Sequence, residues 1–257
     1  MKVAAYQAPL QATRERSVLD LIREQVRICE LQGVEILCCP EGVLGGLADY
    51  VSRPREIAIN AESGQLENVL APLASDTVTT ILGFTEMDRN GRFYNSAAIF
   101  CQGAVVGIYR KLHPAIHSSV YAAGEQMPVF VVGDRTFGVL ICRDSNYAEP
   151  ARMMAAQGAV ALFVPTNNGL PPGKAGPELV AEARAVDVTR AMENNVYVIR
   201  ADVAGRFENL VSYGSTGIVG PNGKVHQSAS QLEPCLVVAD IPLSSPHRVP
   251  QQLGQRG

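Results

Sequence analysis

One cysteine stands where an apolar run of the chain meets a polar loop. Cys142 follows the apolar run 137–141 and precedes the polar residues 143–146. The run predicts a buried strand, and the polar residues predict a loop at its carboxyl end. Open α/β sheets bind ligands at that edge, so a thiol there is positioned to act as a nucleophile. A free cysteine is also commonly a small buried hydrophobe, and taken alone Cys142 leaves both interpretations open.

Two further apolar runs are followed by side chains of complementary chemistry. The run 34–39 stops just before Glu41, which is flanked by a proline and a glycine, and the run 104–109 is followed closely by Lys111. Taken singly, Glu41 is interpreted as an ordinary loop carboxylate and Lys111 as a surface cation. Taken together with Cys142, the glutamate can accept the thiol proton, while the lysine favours the thiolate and stabilises charge on a substrate oxygen.

This trio suits attack on an electron-poor carbon bonded to nitrogen. The thiolate adds, the amine or ammonia leaves, and water hydrolyses the thioester. A Cys–His enzyme with His113 or His117 as the base is a weaker alternative. These histidines are four residues apart, as metal ligands on a helix often are, but Pro114 lies between them and no matching cysteine or acid cluster exists. We therefore predict no metal site.

The ordered set of segments resembles the carbon–nitrogen hydrolases of the nitrilase superfamily over nearly the whole chain. The segments that carry the resemblance are 2–7, 40–46, 94–97, 109–113, 142–144 with 149–152, 190–198 and 213–223. The resemblance implies a four-layer α-β-β-α sandwich with a Glu–Lys–Cys triad. It assigns Glu41 as the general base, Lys111 as the electrostatic stabiliser and Cys142 as the nucleophile.

The sequence departs from the family pattern at two places. Many relatives carry a second glutamate between the lysine and a Phe-x-Pro-Gly-like turn, which here is 121–124. The preceding stretch 117–120 reads His-Ser-Ser-Val and contains no carboxylate. The residue after the nucleophile, often aromatic in relatives, is Arg143, and residues 145–146 are Ser-Asn. These changes leave the triad intact and bear on substrate preference and turnover.

Residues near the triad have candidate supporting roles. We assign Arg143 and Asn167 to substrate binding, because the backbone amide of Arg143 can serve as a second oxyanion donor and Asn167 follows the strand-like run 160–164. Asn167 is equally well explained as part of a polar turn. Asp144 is expected to hold the loop after the nucleophile, and Glu86 to hold Lys111.

Composition bounds the class of protein. The chain has 257 residues, 47% hydrophobic and 18% charged, and a net charge of −3. These values fit one α/β domain, and we predict a single carbon–nitrogen hydrolase domain over residues 1–257. Without a basic run or an apolar stretch of about 20 residues, neither a nucleic acid nor a membrane is indicated as a partner. No nucleotide-binding glycine motif occurs, so we predict no cofactor.

The cysteines bear on the location of the protein. They lack the pattern of a disulfide framework, and no signal-peptide core is visible in the sequence. We therefore expect a cytoplasmic protein with reduced thiols.

Strands and helices alternate along the chain. Helical spacing predicts helices over 17–31, over 63–74 with an interruption near Pro72, over 148–157 and over 177–194. The helix 148–157 is apolar nearly all round, and we predict that a homodimer or higher homo-oligomer covers it, with burial within the subunit as the alternative. The tail from Pro242 is expected to lie over the surface or on a neighbouring subunit.

These patterns predict cofactor-independent hydrolysis of a small amide or N-carbamoyl compound through a cysteine thioester. Two alternatives remain open at this stage. One is a nitrile-hydrolysing member of the family. The other is a relative that keeps the fold as a ligand-binding module without catalysis, because a fold alone does not establish an activity.

Overall fold

A computed structural model describes residues 1–10 and 16–242 of the chain. The tail after Pro242, which we expected on the surface or on a neighbouring subunit, lies outside these residues. Within the described part, the strands form one sheet of eight and one of six. No helix in that part is both long and apolar enough to cross a bilayer.

The first sheet contains the amino-terminal half of the chain and three later strands. Its members are β1 (Lys2–Pro9), β2 (Ile36–Cys38), β3 (Thr79–Met87), β4 (Phe93–Cys101), β5 (Ala104–Arg110), β10 (Val203–Phe207), β11 (Leu210–Ser212) and β14 (Cys235–Asp240). Strands β1, β2 and β3 are parallel neighbours, and β3, β4 and β5 pair antiparallel in turn. Strand β5 therefore runs in the same direction as β2 and β3, so all three end at the same edge.

The second sheet carries the remaining strands. Its members are β6 (Val129–Val132), β7 (Arg135–Val139), β8 (Ala161–Pro165), β9 (Tyr197–Ala201), β12 (Gly217–Val219) and β13 (Val225–Ser228). Strands β7, β8 and β9 are parallel and form its centre. Their nearly unbroken apolar sequences are typical of strands that are buried on both faces.

The helices cover the outer faces of the two sheets. They are α1 (Val18–Gln32), α2 (Pro54–Ile57), α3 (Gln65–Leu70), α4 (Ala148–Ala156) and α5 (Pro177–Asn194). Ser17 caps α1 by accepting a hydrogen bond from the Asp20 N–H, and Gly33 ends it in a left-handed conformation. Helix α5 begins at Pro177 and has both ends where the sequence predicts them.

Alternation along the strands separates the interior of the sandwich from its helix-covered face. Ile36 and Cys38 of β2 pack in the cluster between the sheets, whereas Leu37 and Cys39 pack with α1 and α3. The adjacent cysteines thus lie on opposite faces, as the period of a strand requires. The arrangement of helix, sheet, sheet and helix confirms the four-layer α-β-β-α sandwich.

Three predicted elements differ in detail from the structure. Strand β7 ends at Val139, before Cys142, which we expected it to reach, because the Ile141 N–H turns to the Asp144 carboxylate (3.2 Å). The predicted helix over 63–74 gives way to a short 3₁₀ turn at Ala71–Leu73, because Pro72 lacks the N–H that a helix needs. Helix α4 buries one face and exposes 42% of Met153, so it is not covered all round.

Candidate active site

Glu41 lies just past the end of β2 and is almost fully buried, at 2% exposure. Its Oε1 accepts hydrogen bonds from Lys111 Nζ (2.5 Å) and Asn95 Nδ2 (2.8 Å), and its Oε2 accepts one from the Asn167 N–H (3.1 Å). The turn containing Glu41 packs directly on β3 at Gly83. A Cβ at Gly83 would collide with the backbone of residues 40–42, so only glycine allows this approach.

Lys111 follows β5 and is also only 2% exposed. Its N–H donates to the Asn95 carbonyl (2.8 Å), and its own carbonyl accepts from the Gly124 N–H (2.8 Å). Burial alone would lower the pKa of the Lys111 ammonium, but the Glu41 carboxylate outweighs it and raises this pKa above its ordinary value. The two side chains therefore form a charged pair at the sheet edge.

Cys142 begins a short 3₁₀ turn, Cys142–Asn146, and has a φ of 47°. This left-handed conformation is strained for a residue with a Cβ, and such strain is often found at functional sites. The Cys142 carbonyl accepts a hydrogen bond from Ser145 Oγ (2.8 Å), which helps to hold the turn. Unlike Glu41 and Lys111, Cys142 is partly exposed when the whole residue is considered.

The charges around Cys142 act on its pKa in opposite directions. Burial of the thiol and the Glu41 carboxylate raise its pKa, whereas Lys111 and Arg200 lower it, and the net result is a pKa of about 12. The resting group is therefore a neutral thiol at neutral pH. A thiol in this state needs a base to remove its proton as it attacks, and Glu41 is the nearby carboxylate able to do so.

Asp144 connects the lysine segment to the cysteine segment. Its buried carboxylate accepts hydrogen bonds from the His113 N–H (2.8 Å) and the Leu112 N–H (3.3 Å), which follow Lys111. It also accepts from the Tyr109 hydroxyl (2.8 Å) of β5 and the Ile141 N–H (3.2 Å), which precedes Cys142. We expected Asp144 to hold the loop after the nucleophile, and it reaches the lysine segment as well.

The two residues assigned to substrate binding lie at the site but make protein contacts. Arg143 is exposed, and its Nη1 donates to the Ala115 carbonyl (2.9 Å). The Asn167 N–H binds Glu41, while its side chain reaches the Glu41 carbonyl (3.4 Å) and accepts from the Gly169 N–H (3.1 Å). In this geometry Asn167 helps to hold Glu41 in place. Contact with a substrate stays a prediction for both residues.

The segment that lacks the second glutamate docks on the loop after Glu41. Ser119 Oγ (2.9 Å) and the Val120 N–H (2.8 Å) both donate to Asp49. The Tyr121 hydroxyl accepts from the Ala48 N–H (2.6 Å). The segment is thus held by hydrogen bonds to neighbouring loops and presents no carboxylate of its own.

The other titratable side chains that the sequence singled out are engaged elsewhere. Glu86 pairs with Arg110, with Nε at 3.0 Å and Nη2 at 2.5 Å, so the expectation that it holds Lys111 is wrong. His113 Nδ1 lies 3.0 Å from Asp144 Oδ1, and the ring stacks on Tyr147. Across residues 1–10 and 16–242, no group of three or more His, Cys, Asp or Glu side chains is arranged to hold a metal ion.

Sequence reasoning missed a buried ionic network behind the cysteine turn. Arg200 of β9 and Asp187 of α5 form a salt bridge of 2.6 Å, at 3% and 0% side-chain exposure. The available signal was Arg200, a single charged residue inside the apolar run of β9, because unpaired charges are rarely buried.

Comparisons with known proteins identify the family of this chain. The sequence profile of the carbon–nitrogen hydrolase family matches residues 2–251. A Pseudomonas protegens protein described as a hydrolase in the pqqF 5′ region is 31% identical over 249 residues, covering 94% of this chain and 82% of the relative. The chain belongs to the carbon–nitrogen hydrolase family, within the nitrilase superfamily, and is thus an enzyme of this class.

Solved structures show the same architecture. The amidase from Nesterenkonia sp. is 27% identical, with a TM-score of 0.78, over 94% of this chain and 90% of that one. The glutamine-dependent NAD⁺ synthetase from Acinetobacter baumannii is 21% identical, with a TM-score of 0.76, and this chain spans 44% of its length. The second likeness concerns the fold alone.

Proposed function

We propose that this chain hydrolyses a non-peptide C–N bond in a small amide or N-carbamoyl compound through a thioester on Cys142. The observation that carries the proposal is the buried Glu41–Lys111 pair, 2.5 Å apart, beside a strained and partly exposed cysteine. These three residues supply a base, a fixed positive charge and a nucleophile.

The first half of the reaction forms the thioester. Glu41 takes the thiol proton as Cys142 Sγ bonds to the carbonyl carbon, and the carbonyl oxygen becomes an oxyanion. The Lys111 ammonium stabilises that oxyanion, together with backbone N–H groups after the nucleophile. The C–N bond then breaks, Glu41 returns the proton to the departing nitrogen, and ammonia or an amine leaves.

The second half releases the acid. Water takes the place of the departed amine, and Glu41 accepts a proton from it as its oxygen bonds to the thioester carbon. The C–S bond breaks, and the proton returns to the sulfur, giving the free thiol and the carboxylic acid, or a carbamic acid from a carbamoyl substrate. Because Glu41 acts as base and acid in turn, its single carboxylate is sufficient for both halves.

A small amide is the first substrate class to examine. A cysteine-to-alanine mutant of the Nesterenkonia sp. AN1 amidase is described in complex with butyramide, and another mutant carries acrylamide added to its active-site cysteine. The Glu–Lys–Cys arrangement here suits attack of a thiolate on the carbonyl carbon of such an amide. Acid and ammonia are the expected products of such a substrate.

A screen for ammonia release tests the proposal. Purified protein is incubated with aliphatic amides, N-carbamoyl amines and nitriles, and Cys142→Ala serves as the inactive variant. Cys101→Ala is the matched control, because Cys101 is a partly exposed cysteine at the far end of β4. We expect release from amides or carbamoyl compounds by the wild type and Cys101→Ala only. Equal release by Cys142→Ala would contradict the proposal, and release from nitriles alone would favour the nitrile-hydrolysing alternative.

The assembly and location of the enzyme remain proposals. We propose a homodimer that pairs through α4 and α5, supported by the exposed side chains of Met153 (42%) and Met192 (57%) on these helices. Sedimentation at micromolar concentration tests this, and a monomeric mass at every concentration would contradict it. The cytoplasmic location stays a prediction.

A further inference from the structure

Arg200 is a buried cation whose guanidinium donates hydrogen bonds to three side chains. Its Nε and Nη2 bind the Asp187 carboxylate at 2.6–3.1 Å. Its Nη1 donates to Thr166 Oγ1 (2.8 Å), and its Nη2 also donates to Ser145 Oγ (3.0 Å). The residue is 3% exposed, so these interactions form away from water.

The hydrogen bond to Ser145 connects Arg200 to the proposed nucleophile, Cys142. Ser145 Oγ accepts from Arg200 and donates its own hydrogen to the Cys142 carbonyl (2.8 Å). That carbonyl belongs to the residue with the strained φ of 47°. A hydroxyl polarised by a cation is a stronger donor, so Arg200 reinforces the bond that holds the strained turn.

The hydrogen bond to Thr166 connects Arg200 to the proposed general base, Glu41. The Thr166 carbonyl accepts from the Glu41 N–H (3.3 Å), and the next residue, Asn167, donates its N–H to Glu41 Oε2 (3.1 Å). By fixing the side chain of Thr166, Arg200 fixes the segment that carries both contacts to Glu41. One guanidinium therefore connects the backbones of the nucleophile and the base.

Stability alone does not account for this arrangement. A buried ion pair can often be replaced by apolar side chains of similar volume with no loss of stability. The guanidinium, however, offers several donors in a rigid planar fork, and neither an apolar residue nor lysine can reproduce that geometry. The feature that an apolar replacement would lose here is the connection between Cys142 and Glu41.

We propose that Arg200 is a positioning residue for hydrolysis, which fixes the Cys142 turn through Ser145 and the Glu41 segment through Thr166, with Asp187 as its counter-ion. This inference rests on the proposed function, since it takes Cys142 as nucleophile and Glu41 as base. Arg200 itself stays behind the turn and does not contact the substrate.

The charges around the two groups support an additional electrostatic effect. Cys142 faces the carboxylates of Glu41 and Asp202 and the cations of Lys111 and Arg200, and the two cations lower its pKa against the larger effect of burial. Arg200 in turn interacts with Asp187 and Asp202, and with the neighbouring cation Arg184. Loss of the Arg200 charge therefore makes the thiolate harder to form.

The test compares Arg200→Met and Arg200→Lys with the control Arg184→Met. Arg184 contacts the same carboxylate, with Nη1 at 3.5 Å from Asp187, but its hydrogen bonds go to the Ser215 and Thr216 carbonyls instead of the catalytic segments. Each variant is first checked by thermal unfolding. Labelling of Cys142 by iodoacetamide is then followed by peptide mass spectrometry from pH 7 to pH 10, and kcat and KM are measured on a substrate from the screen.

For Arg200→Met we expect labelling of Cys142 at pH 8 to slow about tenfold, because loss of the cation raises the pKa of the thiol. We also expect kcat to fall about tenfold or more with little change in KM, since the lost positioning acts on the reacting groups. Arg200→Lys should restore most of the labelling rate, because it keeps the charge, but not kcat. Labelling and kcat of Arg200→Met equal to those of Arg184→Met would overturn the proposal.

Ser145→Ala tests the connection if Arg200→Met does not fold. This variant removes the hydroxyl but leaves the Arg200–Asp187 pair, and we expect a fall in kcat of about tenfold without a change in KM. Unchanged kcat would overturn the connection to Cys142. Labelling needs no substrate, so its pH profile tests Arg200 even if the screen finds no turnover. Turnover that survives in Cys142→Ala would instead refute the proposed function.

Discussion

Replacing Asp144 with asparagine tests how the lysine and cysteine segments are held together. The carboxylate is fully buried and accepts hydrogen bonds from Tyr109, Leu112, His113 and Ile141. In asparagine one oxygen becomes an NH₂ group, which faces these donors with another donor. The arrangement that costs least places the NH₂ toward His113, whose ring nitrogen can change tautomer while its backbone N–H stays unpaired.

The magnitude follows from these contacts. One unpaired buried N–H costs about 1–3 kcal/mol, and the remaining bonds lose the strength that a charged acceptor gives them, about 1 kcal/mol more. Part of this loss is offset, because burial raises the pKa of the Asp144 carboxyl and a neutral amide is less costly to bury. We therefore expect Asp144→Asn to lower the free energy of unfolding by about 2–3 kcal/mol. We also expect kcat to fall at least about tenfold as Lys111 and Cys142 lose their common anchor.

Urea unfolding and kcat on a substrate from the screen measure both effects. Asp134→Asn is the matched control, because it makes the same substitution at a surface position, where the Asp134 side chain is 81% exposed. Its effect on stability should be below about 0.5 kcal/mol. If Asp144→Asn matches Asp134→Asn in both stability and kcat, the reasoning about the shared anchor is refuted.

Three further predictions concern the site and the core. Lys111→Met should lower kcat by about 10²–10³, whereas the exposed Lys224→Met should not, and equal kinetics for the two variants would remove the proposed role of Lys111. Labelling of Cys142 by iodoacetamide should become steadily faster from pH 7 to pH 10, because burial raises the pKa of this thiol to about 12. A labelling rate that levels off near pH 8 would contradict this prediction. Burial raises the pKa of the Cys29 thiol from 9.0 to about 12 and that of the Tyr121 hydroxyl from 10.0 to about 12. The unfolded state therefore releases these protons first, and urea unfolding should show stability falling between about pH 9 and pH 12; constant stability across that range would show that these groups are not buried.

The fold was predictable because its signals are local. Apolar runs that end in polar residues gave the strands, and helical spacing with Ser17 and Gly33 as caps gave α1. The ends of strands were less predictable, because tertiary contacts decide them. Strand β7 stops at Val139 when the Ile141 N–H turns to a carboxylate three residues later, and nothing in the apolar pattern signals this turn.

The candidate site was predictable only where each residue follows a strand end. Glu41 and Lys111 meet as a direct ion pair because β2 and β5 run in the same direction and end at one edge. The residues that hold them were not visible, since Asn95 and Arg200 lie inside strands and act through partners far away in sequence. Long-range hydrogen bonds of this kind depend on sheet packing, which a single sequence does not reveal.

The most direct test of the thioester on Cys142 is a partition experiment with hydroxylamine. Hydroxylamine attacks the thioester in competition with water and gives a hydroxamate, while the thiol is released. An amide and an ester that share one acyl group pass through the same thioester, so the ratio of hydroxamate to acid should be identical for both substrates at a given hydroxylamine concentration. Ratios that depend on the leaving group would contradict a common acyl-enzyme and with it the role of Cys142 as nucleophile.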